Sequence, residues 1–345
     1  MNTILTLHDP ETARGYYEAG VWRADTLYSL LRQHAAIRPY AHALRDGARR
    51  LSWAELLRWV DVVAADLHAG GLRRGERVSV WLPNRAETVV VMLAASRNGY
   101  IVNPSLHRGY SVAECVTLVQ SIGAAALFAA PGHGLDAERS DVFSAAAALP
   151  SLRCVYGGAR PFPAPAEAPL DQPPPVANPD KPVYLAFTSG TTGKPKGVLH
   201  SDNTLLANGR AMVADWGHNP QTVLLSLSPL SHHIATVAIS QMLVAGLELA
   251  VNDPPPGMST LDWLIATRAT YVMGVPTHAM DVLEAARRRG LDRLGDVAIF
   301  YMAGAPIPRE TAEAFLERGI TPQNIYGMTE NGSHQYTLPG DDPRT

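Results

Sequence analysis

The chain has little cysteine, no excess of positive charge and no long uninterrupted apolar run. Cys115 and Cys154 are the only two cysteines in 345 residues, too few for a disulfide framework or a four-thiolate zinc site. Lysine and arginine number 29 against 32 aspartates and glutamates, a formal net charge of −3. No global basic field exists to hold a nucleic-acid backbone or an anionic membrane, so neither is expected as a partner. Residues Met1 to Pro10 lack the basic and apolar regions of a signal peptide. The stretch Ile234 to Val251 is interrupted by Gln241, Gly246 and Glu248, and a spanning helix needs about 20 apolar residues. It reads as a buried helix to Ala245, a break at Gly246 and a strand over Leu247–Val251. A reduced, cytoplasmic, enzyme-sized protein without a membrane span is expected.

Hydrophobic residues make up 46% of the chain, ample for large cores and incompatible with disorder as a whole. At roughly 150 residues per domain, the length points to about two domains. Ser52-Trp53-Ala54-Glu55 and Ser111-Val112-Ala113-Glu114 have the capping-box spacing. After the first, Leu56, Val60, Val63 and Leu67 form one helical stripe. Strands are expected at Arg77–Leu82 and Ala124–Ala130, with a helix at Ala86–Asn98 closed by Gly99. Nine prolines between Pro161 and Pro182 cannot build a ladder and mark a connector. It separates a first lobe, about 1–160, from a second, 183–345. There, strands are expected at Val183–Phe187, Thr222–Leu227, Leu247–Val251, Thr270–Gly274 and Val297–Met302. Helices are expected at about Asp202–Asp215, Ser259–Arg268, Thr277–Arg288 and Pro308–Glu317. This alternation indicates βαβ units and an α/β fold with mainly parallel sheets.

The chemistry concentrates after the strand Val183–Phe187, in Thr188-Ser189-Gly190-Thr191-Thr192-Gly193-Lys194-Pro195-Lys196-Gly197. Glycines let successive N–H groups converge into an anion nest, hydroxyls add donors, and Lys194 and Lys196 add charge. A polyphosphate needs these groups, although composition alone also fits a plain surface hairpin. A Walker A loop fails twice: Thr188 stands where its first glycine belongs, and Pro195 follows the lysine in place of Ser or Thr. Pro195 would also remove an N–H from the helix N-terminus on which such a loop relies. A phosphotransferase of that type is therefore disfavoured. His232 and His233, with His218 and His200, raise a zinc reading. Adjacent histidines in an extended segment point apart, and no cysteine lies close by.

Thr188–Gly197 resembles the signature loop of the AMP-forming adenylating enzymes: acyl-CoA synthetases, aryl-acid ligases, luciferases and peptide-synthetase adenylation domains. Further matches follow in order. They are Leu51-Ser-Trp-Ala-Glu-Leu56, Arg97-Asn-Gly-Tyr-Ile-Val-Asn-Pro104, Pro229-Leu-Ser-His232, Ala303-Gly304-Ala305-Pro306 and Tyr326-Gly327-Met328-Thr329-Glu330. The resemblance implies two stacked flavodoxin-like sheets in a layered αβαβα arrangement, the large N-terminal domain of such an enzyme. It also implies ATP-dependent adenylation of a carboxylic acid with Mg2+, followed by thioester formation with coenzyme A. Thr188–Lys196 would hold the β- and γ-phosphates, with Lys196 the fixed contact because Gly197 and a strand follow it. Glu330 would bind magnesium, Thr329 would donate to the α-phosphate, and Tyr326, Gly327 and Met328 would lie on the nucleotide. Tyr326 would stack on adenine beside the Gly304-Ala305-Pro306 wall. His232 would orient the carboxylate at the mouth of the acyl pocket.

Relatives continue past the position of Thr345 with a ribose-binding aspartate, a hinge and a lysine-bearing lid domain. The resemblance therefore implies a chain lacking that lid, with impaired activity and self-association through exposed apolar surface. Gly15–Thr26 and Thr329–Thr337 look like ligases for cyclic acids, the cyclohexanecarboxylate and aryl types. Ile234, Val237, Met302 and Ala303, the expected pocket contributors, are apolar, which fits an uncharged ring or medium-length acyl group. Two alternatives stand beside CoA ligation: a nucleotide- or acyl-binding module without catalysis, and an aryl-acid AMP ligase that loads a carrier-protein thiol.

Overall fold

A computed structural model describes residues 9–166, 172–188 and 195–342. Two compact units emerge from the same chain. The first comprises Met1–Tyr40, Trp53–Pro83 and Glu87–Ala207, and the second Ala41–Ser52, Asn84–Ala86 and Asn208–Thr345. Each is built on one mainly parallel sheet, as the alternation of helix and strand patterns predicts.

The short hairpin β1 (His42–Arg45) and β2 (Arg50–Ser52) belongs to the second unit. The sheet of the first unit holds β3 (Arg77–Trp81), β4 (Ile101–Asn103), β5 (Ala126–Ala129), β6 (Cys154–Tyr156), β7 (Pro182–Thr188) and β8 (Lys196–Ser201), in the order β6-β5-β3-β4-β7-β8. All neighbours are parallel except the β7–β8 hairpin. Between them the Ser111–Glu114 capping box forms as read, opening the helix Val112–Ser121. The helix Ala86–Asn98 ends before Gly99, which takes φ +73 as a C′ residue must.

The lobe boundary differs from the one read from the prolines. After the Pro-rich segment the chain does not open a new sheet, because Tyr184 of β7 pairs beside Val102 of β4. Asn103 and Ser105 then hold β7 in place: Asn103 Nδ2 donates to the Leu185 carbonyl (2.9 Å), and Phe187 N–H donates to Ser105 Oγ (2.7 Å). Prolines report where a ladder cannot form; they do not report which sheet the next strand joins.

The second unit adds β9 (Val223–Ser226), β10 (Glu248–Val251), β11 (Tyr271–Gly274), β12 (Ile299–Ala303), β13 (Thr321–Met328) and β14 (Gly332–Tyr336), in the order β14-β13-β12-β11-β9-β10-β1-β2. From β10 to β13 every neighbour is parallel. Numbered within the unit, that run is 2-1-3-4-5, the flavodoxin order. The stretch Ile234 to Val251 behaves as its breaks predict. A buried helix, His233–Ala245, ends at Gly246 in the left-handed region (φ 66, ψ 30), and β10 follows. No helix among the described residues is long and apolar enough to cross a membrane.

Candidate functional site

In a doubly wound sheet, the crevice forms outside the carboxyl ends of the strands where the order reverses. In the second unit that point lies between β9 and β11, and a cavity of about 550 Å³ opens there. Segments following four parallel strands line it: Ser228 and Pro229 after β9, Val275 and His278 after β11, Gly304 after β12, and Thr329 after β13. Tyr301 and Ala303 of β12, Gly327 and Met328 of β13, and Gly332 and Ser333 of β14 contribute as well. The helix beginning at His233 covers it with His233, Ile234 and Val237, and His232 stands at its N-cap.

The His232 loop is fixed by amide side chains. Asn84 Oδ1 accepts the Leu230 N–H (2.8 Å) while its Nδ2 donates to the Asn252 carbonyl, and Asn252 Nδ2 donates to the Leu227 carbonyl. His232 itself is exposed, and burial of its inner side holds its pKa below the usual histidine value. A neutral imidazole is thus favoured at the cavity mouth. At the floor, Tyr301 Oη and Ser333 Oγ share a 2.8 Å hydrogen bond, and burial raises the Tyr301 pKa, which keeps the phenol protonated.

The Tyr326–Glu330 motif occupies the end of β13 and the turn into β14. Glycine is needed twice in this hairpin. A Cβ at Gly327 would stand 2.1 Å from the Gly332 carbonyl oxygen, and Gly332 takes φ +67 with Asn208 Oδ1 only 2.7 Å from its would-be Cβ. Asn208 clamps the return strand, donating to the Ser333 carbonyl (2.6 Å) and accepting the Ser333 N–H (3.2 Å). Tyr326 is 56% exposed with its ring edge-on to His334, centroids 5.3 Å apart. Glu330 is exposed at the hairpin tip. One exposed carboxylate suits Mg2+, which takes its other ligands from phosphates and water.

Of the residues read from sequence, His232, Gly304, Gly327, Met328 and Thr329 line this one cavity. Ala305 and Pro306 are exposed just beyond β12. Thr188 and Lys196 belong to the first unit, where they face each other as the last pair of the β7–β8 ladder; Lys196 is exposed. Ser189, Gly190, Thr191, Thr192, Gly193 and Lys194 lie outside the described residues. Among the described residues, no group of three or more His, Cys, Asp or Glu is disposed to hold a metal ion. His218 instead stacks on Tyr271, centroids 4.2 Å apart.

One pocket expectation is overturned. Ile234, Val237 and Ala303 line the cavity, but Met302 is buried in the core on the other face of β12, among Phe300, Leu264 and Phe315. Side chains alternate along a strand, so Met302 and Ala303 cannot share a face, and Tyr301 takes the place given to Met302. His278, Val275 and Ser333 were also missed. The first two sit directly after the expected strand Thr270–Gly274, at a carboxyl end where ligands bind, which was the available signal.

A model of the AMP-binding enzyme family matches residues 31–345. The chain is 30% identical over 302 residues to the feruloyl-CoA synthase of an Amycolatopsis species, covering 86% of this chain and 58% of that protein. It is 26% identical to the medium-chain fatty-acid–CoA ligase of Escherichia coli K12, covering 99% of this chain and 62% of that one. The chain thus spans about three-fifths of the length of these curated relatives. The apo structure of MbtA from Mycobacterium smegmatis superposes with a TM-score of 0.83 at 26% identity, covering 98% of this chain and 63% of that one. Two mainly parallel sheets, a cavity at a strand-order reversal and a family match over nine-tenths of the sequence agree: this chain belongs to the AMP-binding enzymes.

Proposed function

We propose that the chain carries the adenylating site of an AMP-forming carboxylic acid–CoA ligase acting in the cytoplasm on an uncharged cyclic or medium-length acid. The observation that carries this reading is the cavity at the β9/β11 reversal, where the His232 loop and the Gly327–Thr329 segment meet. In the first step a carboxylate oxygen bonds to the α-phosphorus of ATP. The bond from that phosphorus to its bridging oxygen breaks, and pyrophosphate leaves with the electron pair. In the second, the thiolate of coenzyme A bonds to the acyl carbon and AMP departs.

Two anions must approach each other, so charge decides the rate. At an effective dielectric of ~20, a unit charge ~4 Å away is worth about 4 kcal/mol. Lys196, at the base of the Thr188–Lys196 hairpin, supplies one such charge to the β- and γ-phosphates. Glu330 would hold Mg2+, which when bound would screen the repulsion between carboxylate and triphosphate. Thr329 donates to the α-phosphate. Tyr326 stacks on adenine, with Gly304, Ala305 and Pro306 beside it. His232, neutral and hydrogen-bonding, orients the carboxylate. The CoA acceptor is favoured over a carrier-protein thiol by the names of the feruloyl-CoA and medium-chain relatives.

Carboxylate-dependent ATP–pyrophosphate exchange tests the reading, with cyclohexanecarboxylate, benzoate, hydroxybenzoates and medium-chain fatty acids as the panel. Exchange that depends on one acid is the expected result. Folded chain that binds ATP yet exchanges with none would replace it with a nucleotide-binding module.

A further inference from the structure

The acyl end of the cavity is not uniformly apolar, because His278 lies in its wall beside Val275, Ile234, Val237 and Ala303. Its orientation is set from two sides. Nδ1 accepts the Val275 N–H at 3.3 Å, closing the first turn of the helix Pro276–Arg288 onto its own N-cap. Beneath the ring, Gly274 leaves space that a side chain would fill: a Cβ there would stand 3.0 Å from His278 Nδ1 and 3.3 Å from its Cβ. An imidazole nitrogen that accepts a backbone N–H carries no proton, so in the neutral ring the proton is on Nε2. Burial, partly offset by Asp281, lowers the His278 pKa and favours that neutral ring. Nε2–H has no hydrogen-bond partner among the described residues.

We infer that His278 is a specificity-determining residue, which selects acids carrying an oxygen acceptor on a ring. The inference rests on the acyl-adenylate reading above and narrows its substrate class from an uncharged ring to an oxygenated one. The physical reason is an asymmetry. When an all-hydrocarbon acyl group displaces water from this wall, Nε2–H is left unpaired, which costs more than a hydrogen bond gains elsewhere. A ring bearing a hydroxyl or ether oxygen at the matching position restores the bond and avoids that loss. Alone, the Nδ1 contact would make His278 only a helix cap. The free Nε2–H, on a ring that lines the cavity at the strand-order reversal, is what a cap does not need.

The test uses stable sulfamoyl adenosine mimics of the acyl adenylate, so binding is read without turnover. The set is benzoyl-sulfamoyl adenosine and its 2-, 3- and 4-hydroxy derivatives, titrated by calorimetry against the full chain. One isomer is expected to bind about tenfold tighter than the parent, and His278→Leu to bring that ratio close to one. Should His278→Leu fail to fold, Gly274→Ala gives the same readout by pressing on the ring. No isomer exceeding the parent, or a ratio that survives both substitutions, would overturn the inference while leaving adenylation intact. If wild-type chain binds none of the compounds, parent included, the acyl-adenylate reading falls and this inference with it.

Discussion

Both sheets reverse strand order in the same way, yet among the described residues the two reversals are filled differently. In the second unit the segments that follow β9 and β11 border a cavity of about 550 Å³. In the first, β3 and β5 occupy the corresponding positions, and Trp81 fills the space at the end of β3. The indole is fully buried, donates from Nε1 to the His107 carbonyl (3.1 Å), and packs edge-on against His133 at 5.5 Å. Gly134 lets the chain pass over it, since a Cβ there would stand 2.6 Å from the ring. A cavity of about 420 Å³ in that unit is lined mainly by residues that follow β5, His133 among them, and Trp81 does not line it. The topology provides a crevice twice; the residue at the strand end decides whether it becomes core or site.

Removing the plug gives the largest expected effect. Trp81→Ala should destabilise the protein by about 3–5 kcal/mol, the range for deleting a buried aromatic, seen as a fall in the urea midpoint. It should not create a second nucleotide site. A loss below about 1 kcal/mol would mean that the indole is not a structural plug.

Acid should weaken both units, through His133 in the first and His218 in the second. Burial pushes His133 of the first unit and His218 of the second down to about 4, with Arg108 adding to the effect on His133. An unfolded histidine titrates near ~6.5, so between these values the unfolded chain binds the extra protons. Stability is then complete above pH ~6.5 and is lost as the pH falls toward 4, by up to about 2 kcal/mol per histidine at pH 5. Urea midpoints at pH 7.5 and 5 measure it, and His133→Phe and His218→Phe should each reduce the difference by up to about 2 kcal/mol. If either substitution removes all of it, the two units do not share the burden.

The β7–β8 hairpin, for which the phosphate role is proposed, belongs to the unit whose reversal Trp81 occupies, so its contribution should be separable from the fold. Lys196 is exposed, and Lys196→Ala should leave the urea midpoint within about 0.5 kcal/mol. ATP affinity should fall about tenfold, or ~1.4 kcal/mol. Glu330→Gln should lower affinity only when Mg2+ is present. Unchanged ATP binding in Lys196→Ala would remove the phosphate role from this hairpin.

What could be read in the sequence divides along similar physical lines. The helix His233–Ala245, the break at Gly246 and the strands lining the reversal were legible because helix period, strand runs and glycine stops act locally. The hairpin β1–β2 was not. Its place is set by pairing across some 200 residues, Leu44 beside Leu249, and nothing local announces that. The hairpin β13–β14 was not legible either, because its return strand Gly332–Tyr336 has no apolar run or alternation to mark it. The motif residues of the cavity were visible through resemblance, whereas His278 and Tyr301 needed strand parity and the direction of β11 and β12.

The converse of removing the plug is to add one. Ala303 is the last residue of β12, half-buried and facing the cavity. Ala303→Trp would place an indole in this cavity from β12, one strand away from the reversal, filling space that is already empty rather than displacing packed neighbours. Its stability effect should be the smallest of the series, within about 0.5 kcal/mol of wild type, because no core contact is lost. Binding should nonetheless fail selectively: benzoyl-sulfamoyl adenosine should lose affinity far more than AMP, which carries no acyl group. Equal losses for both ligands would mean that this face of β12 serves the nucleotide rather than the acyl group. Stability lost on the scale of Trp81→Ala would mean the cavity walls are as tightly packed as the closed reversal, and the contrast between the two sheets would not hold.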